Sequence, residues 1–148
     1  MDVSTILVPT DFSEDAREAT RVSAEFAELF DAKVVLLHAY HVEIPLASPM
    51  AGGYGLPEGF YESLRAQATS EVEAAARALA ESGVKVTGVA VSEPVSMAIV
   101  AAATNLPADL IVMGTRGLTG LKHVALGSIA ERVVRAAPCP VLTVKAER

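Results

Sequence analysis

The sequence predicts an α/β protein, a single doubly wound domain with a five-stranded parallel sheet and helices on both faces. Short apolar and β-branched runs, such as Ile6–Val8, Val34–Leu37 and Leu110–Met113, have the composition of strands that are buried on both faces. Between these runs, apolar residues recur at spacings of three and four, as in amphipathic helices. Strands that alternate with helices favour a parallel sheet with right-handed crossovers. A length of 148 residues suits one domain over residues 1–148.

The first predicted strand, Ile6–Val8, ends at Pro9 and leads into a helix. Asp11 and Ser13 can accept hydrogen bonds from the free N–H groups of a helix start, so we place the start of the first helix here. The second predicted strand is Val34–Leu37.

A long connection, His38–Leu56, contains prolines and glycines and has no helical or strand pattern. Loops of this length are uncommon in compact domains and often act as lids, so we predict a mobile flap. From Tyr61 to Leu79 the helical spacing returns, and Gly83 follows where the end of a helix favours glycine.

The second half of the chain predicts two helices and three strands. Val84–Val91 alternates like a strand but includes Lys85, Thr87 and Gly88, which suit the edge of a sheet. The other predicted elements are a helix from about Pro94 to Thr104, a strand at Leu110–Met113, a helix at Ser128–Ala137 and a strand at Val141–Val144.

A glycine-rich stretch joins the fourth strand to the last helix. Gly114 ends the apolar run, Gly117 follows it, and Gly127 with Ser128 precedes the helical pattern. Glycines permit positive φ and the close approach of a ligand, while the N-terminus of a helix favours an anion. A ligand that carries phosphate is therefore expected at this loop.

The spacing Gly114-x2-Gly117-x9-Gly127-Ser128 resembles the nucleotide-binding signature G-x2-G-x9-G-[S/T] of the universal stress protein family. Other stretches that are similar to this family are Ile6–Ser13, Leu36–His38, Asp109–Gly114 and Pro138–Val144. The resemblance covers essentially the whole chain and indicates the ATP-binding branch of the family.

The resemblance implies a strand order of 3-2-1-4-5, with the reversal between strands one and four. Ligands of such sheets bind at the carboxyl ends of the strands beside the reversal. It also implies that the glycines, Ser128 and the backbone of Ile129 surround the phosphates, that Asp11 contacts the base and sugar, and that the backbone of Ala39 contacts adenine. The nucleotide-binding residues that we expect are Pro9, Thr10, Asp11, Ala39, Met113, Gly114, Gly117, Gly127, Ser128 and Ile129.

Several of these residues also have a purely structural interpretation. Any single glycine is the default turn residue, Asp11 and Ser128 are both suited to capping a helix, and Met113 is equally suited to core packing. The shared spacing of the glycines, together with Ser128, favours the nucleotide-binding interpretation.

Composition and absent motifs exclude several functions. A net charge of −6 without a basic stripe argues against nucleic-acid binding. Neither a membrane-spanning apolar run nor an N-terminal targeting pattern is present, and we expect a cytoplasmic protein. His38 and His41 lack a third ligand, so no metal site is predicted. The lysine-containing P-loop motif is missing.

We therefore expect an ATP-binding regulatory protein, in which ATP, ADP or AMP, with Mg²⁺, changes conformation or assembly and so alters affinity for an unidentified protein partner. The alternatives are slow ATP hydrolysis or self-phosphorylation, and a family member that no longer binds nucleotide. Apolar residues in Val141–Val144 predict a homodimer through this strand. Possible phosphate acceptors are Thr115, Thr119 and Ser128, the nearest cations are Arg116 and Lys122, and His123 lies in the same loop.

Overall fold

The computed structural model describes residues 2–41, 57–118 and 126–147. The strands are β1 Thr5–Pro9, β2 Lys33–Ala39, β3 Lys85–Val91, β4 Leu110–Gly114 and β5 Val141–Val144. The helices are α1 Glu14–Phe30, α2 Phe60–Ala80, α3 Val95–Asn105 and α4 Ser128–Ala136. All strands are parallel and form one sheet in the order β3-β2-β1-β4-β5. The predicted fold class and strand order are confirmed.

The central strands are buried on both faces because their side chains alternate between two hydrophobic cores. Ile6 and Val8 of β1 belong to the core that α1 and α2 cover, whereas Leu7 belongs to the core that α3 and α4 cover. Alternation with a period of two places successive side chains on opposite faces, so both faces of a central strand must be apolar.

Helix α1 begins where the sequence indicates. Ser13 is its N-cap, and the hydroxyl of Ser13 accepts a hydrogen bond from the Ala16 amide at 3.3 Å. The capping role that the sequence left open for Asp11 thus belongs to Ser13.

Strand β2 is longer than predicted, because His38 and Ala39 continue the ladder and pair with Ala90 and Val91 of β3. The first two residues of the predicted flap therefore belong to the sheet. Residues 42–56 lie outside the described residues. The edge position of β3 is confirmed. In the described ranges, no helix combines the length and hydropathy needed to cross a membrane.

Candidate functional site

A cavity of about 570 Å³ opens at the carboxyl ends of β1 and β4, where the strand order reverses. This volume lies within the range of small-molecule sites, about 300 to 1,000 Å³. Apolar side chains from α3 and the loop before α4, including Val95, Ile99 and Leu126, line part of its wall. All the residues predicted to bind nucleotide line it: Pro9, Thr10, Asp11, Ala39, Met113, Gly114, Gly117, Gly127, Ser128 and Ile129.

Asp11 connects the loop after β1 to the loop after β4. Its Oδ1 accepts a hydrogen bond from the Ser13 amide, and its Oδ2 accepts one from the Leu118 amide, both at 3.0 Å. A carboxylate held by two backbone donors has a fixed orientation at the mouth of the cavity.

His38 holds the loop after β1 in place. In the sequence, this histidine is considered only as a metal ligand, for which no third ligand is present. Its Nδ1 lies 2.9 Å from the carbonyl oxygen of Thr10 and must donate, because a carbonyl only accepts. The ring of His38 also packs against Phe12, with ring centroids 4.8 Å apart. Phe12 has φ of 62°, a left-handed conformation that is costly for an aromatic residue. The sequence does not predict the contact between His38 and Thr10, because this contact depends on how far β2 extends.

Gly117 and Gly127 of the loop are constrained by close contacts rather than by positive φ. Among the described glycines only Gly59 and Gly83 have positive φ. A Cβ on Gly117 would lie 2.7 Å from Oδ2 of Asp11, and a Cβ on Gly127 would lie 3.1 Å from the Thr115 carbonyl oxygen. Space is therefore the constraint at both positions.

Gly114 has a packing role that the sequence did not indicate. A Cβ there would lie 2.9 Å from the backbone carbon of Asp15 and 3.0 Å from the Ala16 nitrogen. The missing side chain lets the first turn of α1 approach the end of β4. Although Gly114 lines the cavity, this close approach is enough to require glycine.

Asp15, in the first turn of α1, is the centre of a buried polar network. Its Oδ2 accepts hydrogen bonds from the Thr115 hydroxyl at 2.8 Å and from Nε of Arg116 at 3.2 Å, and its Oδ1 accepts one from the Ala146 amide at 3.2 Å. Burial alone would raise the pKa of Asp15. The three hydrogen bonds and the charge of Arg116 outweigh burial and hold the pKa below its usual value.

Arg116 is neither a free cation for phosphate nor a solvated side chain. The side chains of Arg116 and Asp15 are each 6% exposed and form an ion pair. A buried guanidinium that is already paired has little freedom to move to a ligand.

The start of α4 faces the same cavity. The N-cap position belongs to Gly127 rather than to Ser128, and the Gly127 amide donates to the Thr115 carbonyl oxygen at 2.7 Å. The first helical hydrogen bond runs from Glu131 to the Gly127 carbonyl oxygen, so the amides of residues 128–130 precede the helical ladder. Ser128 is exposed at the first helical position. These amides and the helix dipole favour an anion.

The charged side chains among the described residues of the cavity are mainly acidic. Among the described lining residues, Asp11 and Glu131 are acids and Arg116 is paired with Asp15. Thr119, Lys122 and His123 lie outside the described residues. Over the described ranges, no group of three or more His, Cys, Asp or Glu residues is placed to hold a metal ion.

These features define a doubly wound α/β protein with a glycine-lined cavity at its switch point. The family model described as the Universal stress protein family matches residues 3–145, and the chain belongs to this family. The universal stress protein MJ0531 of Methanocaldococcus jannaschii is 36% identical over 140 residues, which are 95% of this chain and 81% of that protein.

Solved structures show the same fold. That of the protein MJ0577, from the same organism, has a TM-score of 0.84 at 30% identity and covers 100% of this chain and 99% of its own. A universal stress protein in complex with cAMP has a TM-score of 0.66 over 99% of this chain and 100% of its own. Because the identity to this cAMP complex is 24%, the similarity shows a common fold and nothing more.

Proposed function

We propose that this chain binds an adenine nucleotide, ATP or alternatively ADP or AMP, with Mg²⁺ in the cavity between β1 and β4. Bound nucleotide would change the conformation or assembly of the protein and so its affinity for a protein partner in a stress response. Pro9, Thr10, Asp11 and Ala39 would lie towards the base and sugar, and Gly117, Gly127, Ser128 and Ile129 towards the phosphates.

One observation carries this proposal: the loop after β1 and the glycine-lined start of α4 face one cavity of about 570 Å³. The apolar wall beside Val95 and Ile99 suits a purine ring, and the amides at the start of α4 suit phosphate. With Arg116 engaged by Asp15, Mg²⁺ would neutralise much of the triphosphate charge.

Replacement of Gly127 by valine tests the phosphate end. Gly127 has φ of −69° and ψ of 158°, which valine also adopts, so the fold should persist. The added atoms would crowd the Thr115 carbonyl oxygen and fill space at the start of α4. Calorimetric titration with MgATP should show that Gly127→Val has lost affinity, whereas Ala101→Val, which places the same side chain on the exposed side of α3, should bind like the wild type. Equal affinities in all three proteins would refute the site.

Mass spectrometry of small molecules released from freshly purified protein tests the ligand class directly. Recovery of ATP, ADP or AMP would support the proposal. Recovery of a ligand without an adenine group, combined with no calorimetric response to MgATP, would contradict it.

We also propose that turnover is slow, well below the roughly 10 per second of a typical enzyme. Phosphoryl transfer depends on positioned cations and an aimed nucleophile, and Arg116, the one cation among the described lining residues, is paired with Asp15. Self-phosphorylation at Thr115 is disfavoured because its hydroxyl is buried and donates to Asp15. Single-turnover release of labelled phosphate, with transfer of label to the protein, would measure both; release at several per second would contradict slow turnover.

A further inference from the structure

We propose that Asp15 is a positioning residue that ties the glycine-rich loop to the end of β5, so that a ligand in the cavity is sensed at this edge of the sheet. The inference rests on the proposed nucleotide site and concerns its regulation. Asp15 does not itself line the cavity, whereas Thr115 and Arg116 do. Its effect on a ligand would therefore be exerted through those two residues.

The contacts of Asp15 join segments that are far apart in the sequence. One carboxylate oxygen holds Thr115 and Arg116 of the loop, and the other holds the amide of Ala146, beyond β5. The carboxylate belongs to the first turn of α1, which the absent side chain of Gly114 allows to approach β4. A shift of the loop must therefore either carry the segment after β5 with it or break a bond to Asp15.

Thr115 is hydrogen-bonded both to the start of α4, which faces the cavity, and to the end of β5. Its carbonyl oxygen accepts from the Gly127 amide at the start of α4, and its own amide donates to the Val144 carbonyl oxygen at 2.8 Å. Its hydroxyl completes the connection to Asp15. A ligand that moves Gly127 would thus act on the end of β5 through a single residue.

The buried charge makes this connection stiff. Nη2 of Arg116 is buried without a hydrogen-bond partner among the described residues, so Asp15 supplies the compensation for the guanidinium. Separation of the pair would leave a buried cation unpaired, which is strongly unfavourable. A small movement of the loop therefore also moves the segment after β5.

Hydrogen–deuterium exchange with and without MgATP tests the inference on the full chain. In the wild type, MgATP should slow exchange at residues 115–118 and also at residues 144–146, which do not line the cavity. Asp15→Asn should keep the first effect and lose most of the second, since of these links only the backbone hydrogen bond from Thr115 to Val144 remains. Glu14→Gln, which neutralises the exposed neighbouring acid, should behave like the wild type. Unchanged protection of residues 144–146 in Asp15→Asn, or protection of the loop alone in the wild type, would overturn the inference.

Hydrogen–deuterium exchange measured without ligand separates this inference from the proposed function. Asp15→Asn should speed exchange at residues 144–146 and 115–118 together by about tenfold or more, the factor expected when a charge-assisted hydrogen bond is lost. Exchange in β1 and β2 reports the loss of global stability alone, and the increase at residues 144–146 and 115–118 should exceed what that loss accounts for. Equal ligand-free rates in Asp15→Asn and the wild type would overturn the positioning role even if MgATP binds. A wild type that shows this coupling but no response to MgATP would instead refute the nucleotide site and the sensing that rests on it.

A second variant keeps the test decisive if Asp15→Asn does not fold. Thr115→Val preserves the ion pair but removes one hydrogen bond to Asp15. It should speed ligand-free exchange at residues 144–146 in the same direction and by a smaller factor. Wild-type rates at those amides would overturn the inference.

Discussion

At the scale of single residues, the cavity is shaped by contacts between loops that the sequence separates widely. Asp11 accepts from Leu118, and Gly117 leaves room for the carboxylate of Asp11. Asp15 accepts from Thr115, Arg116 and Ala146. In both cases a carboxylate after β1 fixes the position of the loop after β4.

Replacement of Asp11 by alanine tests its contribution to binding. We expect affinity for MgATP to fall by about 1 to 3 kcal/mol, because the variant loses a polar group that faces the ligand and the bond that orders Leu118. The fold should persist, since Ser13 rather than Asp11 caps α1. Titration calorimetry measures the affinity and circular dichroism monitors the fold. An unchanged affinity in a folded variant would show that Asp11 only orders the loop.

The pair of Asp15 and Arg116 predicts a specific dependence of stability on pH. The pKa of Asp15 is lowered in the folded protein, so its stabilising contribution is complete above the unfolded pKa of about 3.9 and is lost as pH falls through the lower folded value. Asp15→Asn should lose about 3 to 5 kcal/mol at pH 7, because it leaves a buried cation unpaired. Urea titrations at pH 7 and at pH 3 should show the difference from the wild type shrinking at the lower pH.

Two further variants check the cause of that loss. Glu14→Gln removes an exposed charge from the same turn and should cost little at either pH. Asp15→Leu combined with Arg116→Met should recover much of the stability, since it removes both buried charges. A double variant no more stable than Asp15→Asn would mean that packing, not charge, dominates.

The sequence supplied the composition of the site but not its internal contacts. The spacing of Gly114, Gly117 and Gly127 predicted a phosphate-binding loop, and the family resemblance implied its position at the switch point. The structure places all three glycines on one cavity. The pairing of Asp15 with Arg116 was not predictable, since a first-turn acid and a loop cation are each more often solvated. The structural interpretation of Ser128 as a helix cap does not hold, because Gly127 occupies the cap position, which the side chain of Ser128 alone does not reveal.

At the scale of elements, buried strands and amphipathic helices were predictable because each has a characteristic hydrophobic period. The end of β2 was not, because His38 and Ala39 are held in the sheet by pairing with β3 rather than by their own propensity. Gly88 shows a similar limit. The sequence suggested a residue that weakens an edge strand, whereas the structure shows that α2 crosses β3 closely at this position.

Gly88→Ala should destabilise the packing of α2 on β3. The added Cβ would lie 2.8 Å from the Val72 carbonyl oxygen, so the backbone of α2 has to shift. We expect a loss of about 1 to 3 kcal/mol in the free energy of unfolding, as for overpacked cores. Thr87→Ala, at an exposed neighbouring position of β3, is the control and should change stability much less. A Gly88→Ala variant as stable as Thr87→Ala would mean that α2 adjusts without cost.

At the scale of the whole molecule, the edge strand β5 predicts a homodimer. Among the described residues β5 pairs with β4 alone, and its side chains from Val141 to Val144 are half-buried. The carbonyl oxygens of Pro140 and Val144 accept from β4 and the residue after it. Because backbone groups alternate in direction along a strand, the N–H and C=O of Val141 and Thr143 point away from the sheet. Such an edge invites pairing with a second copy.

Thr143→Pro tests this edge without disturbing β4. Proline removes an N–H that points outward, which an edge strand tolerates, so the variant should fold but fail to dimerise. Leu142→Pro is the matched control: its N–H points towards β4, so the same change should destabilise the sheet itself. Sedimentation at micromolar concentration should give a dimer, or a larger assembly, for the wild type and a monomer for Thr143→Pro. A wild type that sediments only as a monomer, or a Thr143→Pro variant that remains a dimer, would exclude assembly through the backbone of β5.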